Sequence, residues 1–364
     1  MKISALIQFL EGRVPKSMQE SYDNCGLLVG ERNNDLSGVL IGLDCTPEIV
    51  LEAEKNNCNL IIVHHPVIFK GLKKLTGSNL VERTVIECIR KNIALYAIHT
   101  NLDNYHYGVN HEIGQRLGLK DLKILKPKKE VLSKLIVYVP YDASEKVSSA
   151  IYAAGAGKIG NYEECSFTVE GKGTFKPVAG ANPSTGELNV RSELSELRME
   201  FLVSNHVISP VLKAMRSSHP YEEVAYELIA LQNENQTEGS GMYGDLEHPM
   251  NEMDFLAQVK RDFNCGCIRH TKLAGKPVKR VAFCGGSGSF LLQDAKSVGA
   301  DIFITGDFKY HEFFDAEEEI IIADIGHYES EQFTVNLLAD ILKENFPTFA
   351  VRITGINTNP INYF

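Results

Sequence analysis

Three short apolar runs constrain this chain more than any other feature. Leu36–Leu43, Asn59–Val63 and Ile93–His99 are each bounded by polar or turn-forming residues. None alternates apolar with polar, the pattern of strands buried on both faces. Between them lie segments with helix signals. Thr46 stands where an N-cap belongs, with Pro47 at the first helical position and Glu48 in the first turn, opening a helix over Glu48–Asn56. A second helix is expected over Leu80–Lys91. Strands separated by helices of this length require right-handed crossovers, so the sheet is parallel or mixed.

The same grammar returns late in the chain. Strand Val278–Cys284, a glycine turn, strand Ala300–Ile304, strand Glu319–Ala323 and helix Thr334–Asn345 follow one another with helices between. The middle differs. A lysine-rich stretch (Lys123, Lys126, Lys128, Lys129) precedes the apolar strand Lys134–Pro140, and Gln232–Gly241 has the composition of a linker. The expected class is α/β, with mixed or parallel sheets flanked by helices. One discontinuous core domain, 1–128 plus 239–364, is interrupted by an inserted domain over 129–238. Insertion at a surface loop costs little, because closure entropy grows slowly with length.

At 364 residues, two packed units are the default. The balance of 37 basic against 47 acidic residues gives a net charge of −10, which argues against a broad phosphate-backbone surface and hence against nucleic acid as a partner. No run reaches the roughly 18 apolar residues of a membrane span, and Gln8 and Glu11 interrupt the first segment where a signal peptide stays apolar. A cytoplasmic protein is expected. Its eight cysteines then read as free thiols, and only Cys265 and Cys267 are closely spaced.

Three strand ends carry metal-binding side chains: His64 and His65 before Pro66; His99 through Asp103; and His327 with Glu331. Ligands in open α/β sheets gather outside the carboxyl ends of strands, where all three clusters lie. Neighbouring His64 and His65 converge only where a strand is breaking up, as Pro66 suggests. His327 and Glu331, four apart, share a face once a helix has begun. Imidazole plus carboxylate suits zinc, iron, manganese or nickel. Groups of this kind at three strand ends exceed the needs of one tetrahedral ion and suit a pair about 3.5–4 Å apart, bridged by a carboxylate such as Asp103 or Glu331. The alternative is a set of hydrogen-bonded core histidines and a helix-face pair. At a fourth strand end Asp307 and His311 are outer neighbours that orient ligands, or substrate contacts, and Asp307 is equally a natural N-cap. Gly285–Gly288 resembles a phosphate-cradling turn but completes no nucleotide motif, which favours a tight strand-to-helix turn.

Taken in order, Asp23–Gly30, Asn59–Pro66, His99–Asp103, Thr305–Asp307 with His311, Gly326–His327 with Glu331, and the closing Asn359–Tyr363 resemble the successive signatures of the GTP cyclohydrolase 1 type 2 homologues, the NIF-three-like family. The resemblance implies that His64, His65, Asp103, His327 and Glu331 hold two divalent metal ions, with Asp103 and Glu331 shared. His99, Asp307 and His311 would be outer or substrate-facing residues. It further implies a ring-shaped homohexamer, and an insert similar to the small α+β, ferredoxin-like PII/CutA fold, to which Lys134–Pro140 and His219–Tyr226 would belong; there His219 reads as a turn residue rather than a ligand. The implied activity is a metal-dependent hydrolase acting on a nucleotide-like substrate. The alternative is a non-catalytic metal-binding or regulatory hexameric scaffold.

Overall fold

The structure is a computed structural model that describes residues 1–364. The chain separates into two compact units, one formed by Met1–Lys126 with Thr237–Phe364 and the other by Pro127–Gln236.

The first unit is built on two mixed sheets. One has the order Gly26–Val29, Ala94–Ala97, Leu60–Val63, Val39–Gly42, Val351–Ile353, and only Gly26–Val29 runs antiparallel to its neighbour. The other has the order Arg269–His270, Ile321–Asp324, Ile302–Gly306, Val278–Ser287, Asn235–Met250, Lys120–Lys128. Its Val278–Ser287, Ile302–Gly306 and Ile321–Asp324 are parallel. The apolar runs are continuous because both faces of each strand are covered. Val39, Ile41, Leu60 and Ile62 join Val281, Phe283, Ile302 and Ile304 in one core shared by the two sheets. The alternate residues Leu40, Ile61 and Val63 pack outward on Ile49, Val50 and Val85 of helices Pro47–Lys55 and Leu80–Arg90. Ala282, Phe303 and Ile322 do the same on the second sheet. Burying side chains of this size contributes roughly 1.5–3 kcal/mol each, which makes these strand ends rigid supports.

Two local expectations change. Gln232–Gly241 is not a linker over its whole length, because Asn235–Met250 is a strand lying between Val278–Ser287 and Lys120–Lys128. Its polar, glycine-rich composition concealed main-chain pairing, which needs no particular side chain. Thr46 occupies the cap position of Pro47–Lys55, yet its hydroxyl bonds the Glu48 carboxylate instead of a backbone N–H.

The second unit is a four-stranded antiparallel sheet in the order Ser166–Phe175, Ser192–Ser204, Leu132–Pro140, Tyr226–Leu231. Helices Ser144–Ala153 and Ile208–Ser218 give the chain order βαββαβ, the split βαβ pattern of ferredoxin-like units. Val147, Ile151, Val211 and Met215 of those helices pack on Leu135, Val137 and Phe201. His219 follows the second helix. Its Nε2 lies 3.0 Å from the Tyr138 carbonyl and its Nδ1 accepts the Tyr221 N–H at 3.1 Å, so both ring nitrogens serve the turn.

Candidate metal centre

Strand Leu60–Val63 delivers His64 and His65 to the end of the first sheet. His64 continues the inward face of Leu60 and Ile62 and is 0% exposed. His65 does not continue the outward face of Ile61 and Val63. Its N–H bonds the Leu43 carbonyl at 2.9 Å and its ring centroid stands 5.0 Å from that of His64, so the breaking strand brings both rings together. Helix Thr100–Asn104, starting directly after strand Ala94–Ala97, carries Asp103 with His99 at its cap position. From the second sheet, strand Ile321–Asp324 leads through Gly326 into the short helix His327–Glu331, whose one turn sets His327 and Glu331 on the same side.

The five side chains converge. Glu331, 3% exposed, is central: its Oε2 lies 2.9 Å from His65 Nε2 and 3.1 Å from His327 Nε2, and its Oε1 lies 3.7 Å from His64 Nε2. Asp103 Oδ1 is 3.5 Å from His64 Nε2. Three sets each bring their donor atoms within 4.8 Å of one another: His65, His327 and Glu331; His64, Asp103 and Glu331; and His64, His65 and His99.

Each histidine is oriented from behind through Nδ1. His64 Nδ1 bonds the Ile98 carbonyl at 2.9 Å, His65 Nδ1 bonds Asp44 at 2.8 Å, His99 Nδ1 bonds Asp23 at 2.9 Å and His327 Nδ1 bonds Asp307 at 2.7 Å. A carbonyl only accepts, so His64 carries its proton on Nδ1, and burial lowers its pKa and keeps the ring neutral. Its Nε2 lone pair therefore faces the cluster. That atom and Asp103 Oδ1 are buried without a hydrogen-bond partner. Orphaned polar atoms of this kind are costly unless something else satisfies them. A divalent cation would, and the tied Nδ1 with a presented Nε2 is the arrangement metal-binding histidines adopt. The residues fit a metal.

Without an ion the cluster holds protons instead. Burial alone would lower His65 and His327, but Asp44 and Glu331 raise His65 to about 10, and Glu331 with Asp307 raises His327 to about 9. Burial and then the Glu331 charge push Asp103 well above the usual carboxylate range. Burial alone would raise Glu331 too, yet the protonated imidazoles of His327 and His65 hydrogen-bond to it and hold it well below its ordinary value.

Of the outer residues, His99 and Asp307 join the site. Asp307 is no N-cap: the following short helix begins beyond Lys309, whereas Asp307, at φ +60°, turns its carboxylate onto His327. His311 stands apart, exposed on the helix Tyr310–Ala316 with its ring near Tyr310 and Phe314. Asp23 and Asp44 were not singled out from the sequence. They contact histidines 76 and 21 residues away, a pairing no local pattern carries. The only signal was an aspartate closing a turn or a strand beside a cluster.

Gly285–Gly288 is no phosphate cradle, because its first two backbone N–H groups are already used. Gly285 N–H bonds Asn110 and Gly286 N–H bonds Ser330. Gly286, at φ +61°, lets the backbone approach the centre: a Cβ there would stand 2.4 Å from Glu331 Oε1 and 3.2 Å from His327 Cε1. Gly286→Ala is expected to destabilise the fold by about 1–3 kcal/mol through backbone strain and to loosen metal binding by moving Glu331. Denaturant unfolding together with metal content checks this; wild-type values of both would contradict it.

A cavity of about 410 Å³ opens beside the cluster, lined by His65, His99, Asp103, His327 and Glu331. The family model Duf34/NIF3 (NGG1p interacting factor 3) matches residues 1–360. A Staphylococcus epidermidis protein named GTP cyclohydrolase 1 type 2 homolog is 36% identical over the full length of both chains. The crystal structure of a Bacillus cereus protein related to NIF3 superposes with a TM-score of 0.87 at 34% identity, covering 100% of this chain and 99% of that one. A Staphylococcus aureus crystal structure gives 0.79 at 31% identity with the same coverage. These matches run along the whole chain, which belongs to the Duf34/NIF3 (NGG1p interacting factor 3) family.

Proposed function

We propose that this protein is a metal-dependent hydrolase with two divalent ions per chain, held by His64, His65, Asp103, His327 and Glu331. The observation that carries it is the sharing of Glu331 between two donor sets, one with His65 and His327 and one with His64 and Asp103. One carboxylate common to two triads is what a bridged pair of ions requires. When bound, such ions supply Lewis acidity, lowering the pKa of water toward neutrality and polarising the bond to be cut. The protein's own part is orientation. Asp44, Asp307 and Asp23 fix three rings, and the Ile98 carbonyl fixes the fourth.

The cavity supports a planar nitrogen heterocycle as substrate, consistent with the nucleotide named for the relatives. Tyr22 and Phe69 stack at its rim with ring centroids 6.4 Å apart and 28° between planes, and Phe69 meets the His99 ring at 6.0 Å. Glu20 also lines it, its Oε1 accepting from Asn104 at 2.7 Å, a carboxylate suited to ring N–H donors. No lysine or arginine lines the cavity, so the ring rather than a phosphate would be the recognised part. The reaction is hydrolytic opening of a C–N bond in that ring.

The proposal extends to a ring-shaped homohexamer, for which exposed Leu72 and Leu75, with Leu80 at the start of helix Leu80–Arg90, offer an apolar surface to another copy, and to a PII/CutA-like insert, supported by its βαββαβ order. No helix is long and apolar enough to cross a membrane. The test is a screen of guanosine, GTP and related heterocycles with metal-loaded protein, following ring-opened product. Turnover that falls at least a hundredfold in Asp103→Asn is expected. Full metal loading with no turnover on any compound would favour the non-catalytic scaffold instead.

A further inference from the structure

The last residues of the chain touch no donor atom of the metal centre, yet they close around what holds those atoms in place. Strand Val351–Ile353 lies parallel to Val39–Gly42, so the chain leaves it at the carboxyl end of the first sheet, beside Asp44 and His64. Gly355 N–H then bonds Glu52 at 2.9 Å, which directs the tail across that end. Two contacts secure it there. Thr358 Oγ1 donates to Asp44 Oδ2 at 2.6 Å, while Asp44 Oδ1 bonds His65 Nδ1 at 2.8 Å. Asn359 Nδ2 donates to Glu329 Oε1 at 3.2 Å. Glu329 is buried, 4% exposed, on the helix that carries His327 and Glu331.

The tail therefore grips an orienting carboxylate under the first sheet and the ligand-bearing helix under the second through adjacent residues. It is held in shape for this. Asn357 Oδ1 accepts from Asn359 N–H at 2.9 Å and Asn359 Oδ1 accepts from Ile361 N–H at 3.0 Å, two side-chain turns in succession. Beyond them Tyr363 packs against Gly266, and its hydroxyl lies near Gly326, the residue that begins the turn into His327.

We propose that Thr358 and Asn359 are positioning residues that lock His65 and the His327–Glu331 helix into one geometry, making the C-terminal tail a strap across the metal centre. The inference rests on the metal-centre reading above. Thr358 fixes the second oxygen of Asp44, and a carboxylate held at one oxygen only can rotate away from the imidazole it orients. Outer partners of metal-ligating histidines typically change affinity by 10–100-fold. Thr358 acts one bond further out, so about tenfold is expected.

The experiment uses the full chain. Wild type, Thr358→Val, Thr358→Ser and Asn359→Ala are loaded with zinc alone, and metal release into excess chelator is timed alongside thermal unfolding of the metal-free forms. Faster release from Thr358→Val by about tenfold, recovery in Thr358→Ser, and near-wild-type melting of the metal-free variants support the strap. Equal release rates in Thr358→Val and wild type overturn it. So does a Thr358→Ser variant as leaky as Thr358→Val, because the hydroxyl would then be irrelevant. If wild type takes up neither zinc nor manganese, iron or nickel offered in its place, the metal-centre reading fails, and the strap falls with it for a separate and recognisable reason.

Discussion

Glu331→Ala is expected to cost the protein its capacity to retain divalent ions while leaving the sheets intact. Glu331 contacts His64, His65 and His327 at once, and two of the three donor sets include it. The change also alters the metal-free protein. His65 and His327 lose the carboxylate that helps hold their protons, so their pKa values, about 10 and about 9 in the native chain, should fall. Asp44 and Asp307 remain, so the fall is partial. Metal content after dialysis, with imidazole titration followed by NMR, checks both. A variant that still holds its full metal complement would remove Glu331 from the centre.

The second large effect is a pH dependence that reverses on metal loading. In the metal-free protein His65 and His327 titrate above their unfolded value near 6.5. Their contribution to stability is fully present below about pH 6.5 and is lost as pH rises through about 9 and 10. Asp103, raised above its unfolded value, adds a loss of the same sign as pH rises. Glu331 is lowered, so its contribution is present above its unfolded value and is lost only as pH falls well below it. Metal binding requires these groups to give up their protons, so the stabilisation it adds grows with pH. Between pH 6.5 and 9.5 the melting temperature should therefore decline in chelator and hold or rise with added zinc, by on the order of a few degrees. Parallel slopes in the two conditions would contradict the protonated cluster.

Both effects arise from residues that lie at strand ends, and this is why much of the site was legible. Apolar runs such as Leu60–Val63 announce strands buried on two faces, and a residue placed just beyond the carboxyl end of such a strand lies at the crevice. His64, His65, His99, Asp103, His327 and Glu331 stand out there because imidazole and carboxylate are conspicuous against an apolar background, while only the resemblance to the family set His99 apart from the other five. Helix Thr334–Asn345 was equally legible from its own residues. The parts that escaped depend on contacts across the fold. Asp23 and Asp44 look like turn residues until the histidines they orient are brought beside them. Asp307 carried two equal readings, and only the start of the next helix beyond Lys309 separated them. His311 comes after the same strand end but faces away on Tyr310–Ala316, since position after a strand does not fix direction. The strand Asn235–Met250 was hidden because backbone pairing, unlike burial, leaves polar composition unconstrained.

The central claim is a pair of ions per chain, and the most direct test is elemental analysis of the purified wild-type protein after reconstitution with zinc, manganese, iron or nickel and removal of excess. Close to two ions per chain, with the excess over one lost in Asp103→Ala, is the predicted result. A protein that holds no ion with any of the four metals, or one that saturates at a single ion unaffected by Asp103→Ala, would contradict it.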